Sequence, residues 1–233
     1  MQAPLGILFD KDGTLLEYHA TWMPANHAVA LELAQGDLNT AHHLLRAGGW
    51  DQATDRVASG SPLAAGDLED IATLWQDLLP DGPVRTIESI VAYLDSAFPA
   101  NMVPTPVCDL PALLTQLQAR NIALGVATAD SANGLRMSLA PFDILHRFAF
   151  AVGFDSGHGR KPEPGMVHGF CAATDLPPDR IWVIGDNRHD IEMALSAGAT
   201  GIGVLTGTSS AEELRAAGAA MILDSIAALP EML

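Results

Sequence analysis

The chain has 233 residues, 48% of them hydrophobic, with 12 lysines and arginines against 28 acidic side chains and a formal net charge of −16. That length supplies one α/β core and a smaller second domain, and the acidic balance argues against nucleic acid and against anionic membrane surfaces as partners. There is no apolar run of about 18 residues, so no membrane span is expected.

The first expected element is the apolar run Leu5-Gly6-Ile7-Leu8-Phe9, which ends abruptly in Asp10-Lys11-Asp12-Gly13-Thr14. It reads as a strand buried on both faces of a parallel sheet, entered directly from an N-terminus with no signal-like segment. Open α/β sheets bind ligands at the C-terminal tips of their strands. Two carboxylates two residues apart at such a tip can share a hard cation, and Gly13 lets the chain turn sharply away. Strand alternation turns Lys11 to the other side, so it is expected to be structural. Taken alone, the stretch is also ordinary turn chemistry.

Residues 17–98 change texture and show helix periodicity without a convincing strand. Helices are expected over 24–35, over 40–47 with a stop at Gly48-Gly49, from Ser61-Pro62 onward, and along the apolar face Ile87, Ile90, Val91, Leu94 and Phe98. Pro99 to Pro106 marks the return to the core, a hinge by composition. This insert holds twelve acids and three arginines, Arg46, Arg56 and Arg85. His42, His43 and Arg46 fall within one helical turn and can jointly meet a substrate carboxylate or second phosphate; the alternative is a solvated helix face. His19, Thr21 and Trp22 face either the site or the hinge.

Strands are then expected near 122–127, 148–153, 181–185, 200–205 and 220–223, separated by helices. The first of these ends in Thr128, whose hydroxyl and neighbouring backbone N–H groups can hold a phosphate oxygen. Gly159-Arg160-Lys161-Pro162-Glu163-Pro164 fixes a lysine before a helix, and with only two lysines against ten arginines in the chain, Lys161 is read as functional. Ile181-Trp182-Val183-Ile184-Gly185 ends in Asp186-Asn187-Arg188-His189-Asp190. Cys108 and Cys171 lack metal-type spacing and read as free thiols. The expected location is the cytoplasm.

Four segments in this order, Asp10-Lys11-Asp12-Gly13-Thr14-Leu15, Thr128, Lys161-Pro162-Glu163-Pro164, and Gly185-Asp186 with Asp190, resemble the haloacid dehalogenase-like hydrolases, most closely their phosphoglycolate phosphatase-like branch. The resemblance implies a Rossmann-like parallel-sheet α/β core (1–16 and 99–233) with an inserted all-helical cap (17–98). It implies a Mg²⁺-dependent phosphatase acting on a small phosphorylated metabolite, with phosphoglycolate as first guess. Asp10 would be the nucleophile that becomes an aspartyl-phosphate, and Asp12 the general acid and base. Thr128 and Lys161, with Gly13 and the Ala129 N–H, would hold the phosphoryl oxygens, and Arg46 is the preferred cap contact. Mg²⁺ would be held by Asp10, Asp186 and the backbone carbonyl of Asp12, with Asp190 ligating through water or orienting its neighbours. Asp130 stands near where many relatives carry an asparagine, which bears on side-chain contacts there.

Asp12 and Asp186 together argue for phosphate chemistry over dehalogenation, and the absence of any lysine between Lys11 and Lys161 argues against a Schiff-base phosphonate hydrolase. A receiver domain would place its acidic residues before the threonine and lysine. A phosphomutase sharing the whole core, or a non-catalytic phospho-acceptor, stays open, as does the oligomeric state.

Overall fold

The structure, a computed structural model, describes residues 2–80 and 86–233; Arg85 of the expected cap lies outside them. In chain order, β1 (Gly6–Phe9) leads into α1 (Tyr18–Leu33), α2 (Leu38–Ala47), β2 (Trp50–Asp51), β3 (Arg56–Val57), α3 (Pro62–Ala65), α4 (Leu68–Gln76) and α5 (Ile87–Asn101). The α/β alternation then resumes with α6 (Leu110–Gln118), β4 (Ala123–Ala127), α7 (Ala132–Leu139), β5 (Phe150–Val152), α8 (Gly165–Thr174) and β6 (Ile181–Gly185). It closes with α9 (Arg188–Ser196), β7 (Thr200–Val204), α10 (Ala211–Ala216), β8 (Met221–Leu223) and α11 (Leu229–Met232).

Six parallel strands form one sheet in the order β5-β4-β1-β6-β7-β8. β1 pairs with β4 on one side and β6 on the other, so Phe9 sits opposite both Val126 and Ile184. The chain reverses its direction of travel across the sheet at β1, which opens a crevice beyond the strand tips there. Burial on both faces explains the unbroken apolar runs. Ile7 and Phe9 pack with Leu114, Val126 and Ile202 on one face, while Leu8 packs with Val167, Phe170 and Val183 on the other.

The insert has a core of its own built around Trp22, Leu44, Trp75, Leu94 and Phe98. Trp75 is fully buried and its indole N–H donates to the Leu44 carbonyl at 2.9 Å, tying α4 to α2. The segments that join insert and core run side by side, with Val107 N–H donating to Leu15 O (3.1 Å) and Glu17 N–H to Thr105 O (2.8 Å). None of the described helices is long and apolar enough to cross a membrane.

Three local expectations are corrected. The insert is not all helical: Trp50 and Val57 pair across an antiparallel ladder whose strands are two residues each, too short to leave a period in the sequence. α1 begins at Tyr18 rather than near Pro24, because Glu17 accepts from the Ala20 N–H as its cap and the added turn buries Tyr18, Trp22 and Met23. α5 continues through Pro99 to Asn101. The Asp95 carbonyl, which proline cannot engage, instead receives the Asn133 side-chain amide at 3.4 Å.

Trp75→Ala should lower stability by about 3–5 kcal/mol, a cost typical of emptying a buried aromatic site, measured as a shift in the urea midpoint. A change below about 1 kcal/mol would show that the insert's core does not unfold together with the sheet.

Candidate active site

Asp10 directly follows β1, Thr128 follows β4 and Asp186 follows β6, so three adjacent strands deliver their first polar side chains to one crevice. Lys161 reaches in from the loop before α8, its ammonium donating to Asp10 Oδ1 at 2.5 Å and to Asp190 Oδ1 at 2.6 Å. Helix α9 aims Asp190: Asn187 caps the helix by accepting from the His189 N–H (3.1 Å), and Asp190 Oδ2 accepts from the Asn187 N–H (3.1 Å) in return. Asp10, Asp186 and Asp190 each offer a carboxylate oxygen within 4.8 Å of the others, and all three are buried.

Room for these carboxylates depends on glycines. Gly13 has φ +82, and a Cβ there would come within 2.5 Å of the Asp186 carboxyl carbon. A Cβ on Gly185 would lie 2.1 Å from Asp190 Oδ2. On its far side Asp186 accepts from Thr208 N–H at 2.8 Å, while the Thr206 hydroxyl donates to the Gly13 carbonyl at 2.7 Å. Thr206-Gly207-Thr208 does not stand out in the sequence. The available signal was position alone, a strand tip after β7, since these residues carry no ionisable group.

The Asp12 carboxylate lies outside the three-carboxylate cluster. It accepts from the Trp22 indole N–H (2.5 Å) and meets the Lys11 ammonium at 2.9 Å. This corrects the expected orientation of Lys11. The strand ends at Phe9, and the Lys11 carbonyl accepts from Leu15 and Leu16 N–H (2.9 and 3.0 Å) in a tight turn, so two-residue alternation no longer holds. Lys11 is fully buried, 2.6 Å from Asp130 Oδ2 and 4.8 Å over the Trp22 ring. Burial opposes its charge, but Asp12 and Asp130 outweigh that and raise its pKa. Asp130 is therefore a counter-ion of Lys11, which is the side-chain contact its position makes. Thr128 is buried and its hydroxyl accepts from the Asp130 N–H at 3.1 Å.

A cavity of about 100 Å³ brings Asp10, Asp12, Thr128, Ala129, Lys161 and Asp186 together with Asp190 and with side chains of the insert. Trp22 faces it, whereas His19 accepts from the Val57 N–H (3.2 Å) and Thr21 from the Thr105 N–H (3.1 Å). Arg46, His42 and His43 do not line it. Arg46 is exposed and donates to Gln52 at 3.4 Å, and His42 packs on Trp50, so the helix face they share points away from the carboxylates. The insert is closed over the crevice by Arg160, which meets Asp67 at 2.6 Å and Glu69 at 3.0 Å. Ser131 to Asp95 (2.7 Å) and Ser59 to Ser209 (2.9 Å) add further bridges.

Residues 7–204 match the family model described as haloacid dehalogenase-like hydrolase. The chain belongs to the haloacid dehalogenase-like hydrolases. Among its relatives is the phosphoglycolate phosphatase of Escherichia coli (strain K12), 26% identical over 225 residues that cover 90% of this chain and 84% of the relative. The crystal structure of a predicted phosphoglycolate phosphatase from Haemophilus somnus 129pt superposes with a TM-score of 0.72 at 19% identity, covering 100% and 99% of the two chains. CbbY from Rhodobacter sphaeroides, solved in complex with phosphate, gives 0.67 at 22% identity over 97% and 96%. Within the family the chain falls in the phosphoglycolate phosphatase-like branch and is a phosphatase-type hydrolase.

The electrostatics of this hydrolase suit a cation. Burial, with repulsion from Asp190 added, pushes the Asp10 carboxyl up to about 6, although Lys161 pulls the other way. Burial and the charges of Asp10 and Asp190 hold Asp186 well above the usual carboxylate range. Lys161 is itself raised, because Asp10 and Asp190 overcome the penalty of its burial. Three carboxylates and one ammonium leave the pocket net negative, and an all-oxygen donor set fits a hard divalent ion. Asp10, Asp186 and Asp190 would hold it.

A carboxyl raised from 3.8 to about 6 binds more protons folded than unfolded between those values. Its contribution to stability is complete below pH 3.8 and is lost as pH rises to about 6. Without metal, the melting temperature should therefore fall across that window, and added divalent cation should restore it most at the upper end. Asp186→Asn should raise the metal-free melting temperature and remove most of the cation-induced increment. An undiminished increment in that variant would mean that the ion binds elsewhere.

Proposed function

We propose that this hydrolase is a Mg²⁺-dependent phosphatase that cleaves a small phosphate monoester through a covalent intermediate on Asp10. The observation that carries the reading is the convergence of Asp10, Lys161 and the Asp186/Asp190 pair at one strand-tip crevice, with Asp12 in the same cavity. Phosphoglycolate, named in the relatives, is the first compound to try. Two free cysteines suit a reducing compartment, and the cytoplasm is the proposed location.

An Asp10 carboxylate oxygen attacks phosphorus while the bond to the alcohol oxygen breaks, leaving an aspartyl-phosphate. Asp12 gives its proton to the departing alkoxide. Burial keeps its carboxyl above the ordinary range, which favours that protonated form. Deprotonated, Asp12 next takes a proton from a water whose oxygen attacks phosphorus, breaking the Asp10–phosphorus bond and releasing phosphate. Bound between the carboxylates, Mg²⁺ would offset charge between an anionic nucleophile and an anionic phosphate. Lys161 and the Thr128 hydroxyl, with the Ala129 N–H and the turn at Gly13, hold the phosphoryl oxygens and stabilise the charge spread over them. Trp22 and Lys11 fix where the Asp12 carboxylate rests, and the closed insert limits the entry of water.

Asp10→Asn should abolish phosphate release while leaving the circular dichroism spectrum unchanged; near-normal turnover in this variant would remove the covalent mechanism. Asp12→Asn should lose about 10²- to 10⁴-fold with an alkyl phosphate but markedly less with 4-nitrophenyl phosphate, whose leaving group hardly needs a proton. Equal losses would take the acid role away from Asp12. Lys161→Arg should be as damaging as Lys161→Met, because a planar guanidinium cannot replace a compact ammonium between Asp10 and Asp190. Full activity in Lys161→Met would withdraw its assignment.

A further inference from the structure

Resting on that phosphatase reading, we infer that the alcohol released from phosphorus is small, uncharged and partly apolar, carrying neither a carboxylate nor a second phosphate. Opposite the catalytic carboxylates the cavity is walled by Trp22 and Asn26 of α1, Leu63 and Ala65 of α3, Ile71 of α4 and Phe98 of α5. Among the described residues facing the cavity, Lys161 is the single lysine or arginine, and its ammonium is already shared between Asp10 and Asp190. Among its described residues the insert therefore presents no cation to the leaving group.

Nearby positive groups are committed elsewhere. Arg160, at the edge of the crevice, has its two terminal nitrogens on Asp67 and Glu69. The first amides of α4 do not remain open to an anion either, since Asp67 Oδ1 accepts from both Glu69 N–H (2.8 Å) and Asp70 N–H (3.1 Å). Asp67 itself faces the cavity and is buried, and its charge is already met by Arg160, so neither a carboxylate nor an ammonium on the leaving group finds a free counter-charge there. A desolvated anion without a counter-ion is heavily penalised, whereas a methylene chain against Leu63, Ile71 and Phe98 is favoured.

Apart from the paired Asp67, the polar groups of this wall are neutral. The Tyr18 hydroxyl donates to the Leu63 carbonyl at 2.5 Å, and Asn26 is buried with its Nδ2 3.7 Å from the Met23 sulfur, a weak acceptor. The Asn26 amide also donates to the Tyr18 hydroxyl, and a carboxamide so held can receive a hydrogen bond from a substrate hydroxyl. Wall and polar group together match a short hydroxyalkyl phosphate better than phosphoglycolate.

The test uses the purified full chain with Mg²⁺ and three substrates that differ in one terminal group: 2-hydroxyethyl phosphate, phosphoglycolate and O-phosphoethanolamine, with 4-nitrophenyl phosphate as reference. The hydroxyl compound should exceed both charged ones in kcat/KM by about tenfold or more. Ala65→Arg, which puts a cation into the half-exposed part of the wall, should move the hydroxyl-to-carboxylate ratio by about fivefold or more toward phosphoglycolate. Phosphoglycolate or phosphoethanolamine used as well as the hydroxyl compound would overturn the inference, as would an unmoved ratio in folded Ala65→Arg. Should that variant not fold, the wild-type ratio decides alone. Phosphate release from 4-nitrophenyl phosphate separates the two readings, because silence toward all four compounds overturns the phosphatase reading and this inference with it.

Discussion

Asp10, Asp186 and Asp190 are forced into one buried space with a single ammonium between them. Like charges at such separations repel strongly where water is excluded, and the raised carboxyls of Asp10 and Asp186 are the visible result. Much of the surrounding structure keeps these groups together. β1 and β6 fix two of them by register, a helix cap fixes the third, and glycines at 13 and 185 leave the space the carboxylates occupy. The sheet supplies the energy to hold this arrangement, since the apolar runs beneath it are buried on both faces.

A second charge cluster lies beside the first. Lys11 is enclosed by Asp12 and Asp130 and covered by the Trp22 ring, so here one ammonium answers two carboxylates, against three around Lys161. Removing one partner of such a buried set leaves an uncompensated charge, which costs far more than the set contributes as a whole. The two clusters meet where Asp10 and Lys11 adjoin in the chain, and the larger excess of carboxylate lies on the Asp10 side.

The core of the site could be read from the sequence because each group follows an apolar run: Asp10, Thr128 and Asp186 are first polar residues at strand tips, a position dictated by the parallel sheet. Lys161 stood out through the scarcity of lysine. The strands near 123–127, 181–185 and 200–204 follow for the same reason, as a doubly buried strand is written in consecutive apolar residues. What could not be read depends on contacts across the chain. Lys11 and Asp130 are separated by 119 positions, and local alternation misdirected Lys11 because the strand had already ended. Arg46, His42 and His43 do share a helix face, as periodicity indicated, but which way that face points is set by packing of α2 against α1 and α4 and has no local signature. The leaving-group wall is likewise assembled from four helices.

Arg160 and Lys161 are neighbours in the chain, one gripping the insert through Asp67 and Glu69, the other gripping Asp10 and Asp190. Both grips are carried by the same short stretch of backbone. A swing of the insert away from the sheet therefore pulls on the residue adjacent to the ammonium, and a change of charge at Asp10 is felt one peptide away from the clasp. One loop thus carries, on adjacent residues, both the clasp on the insert and the counter-charge of Asp10.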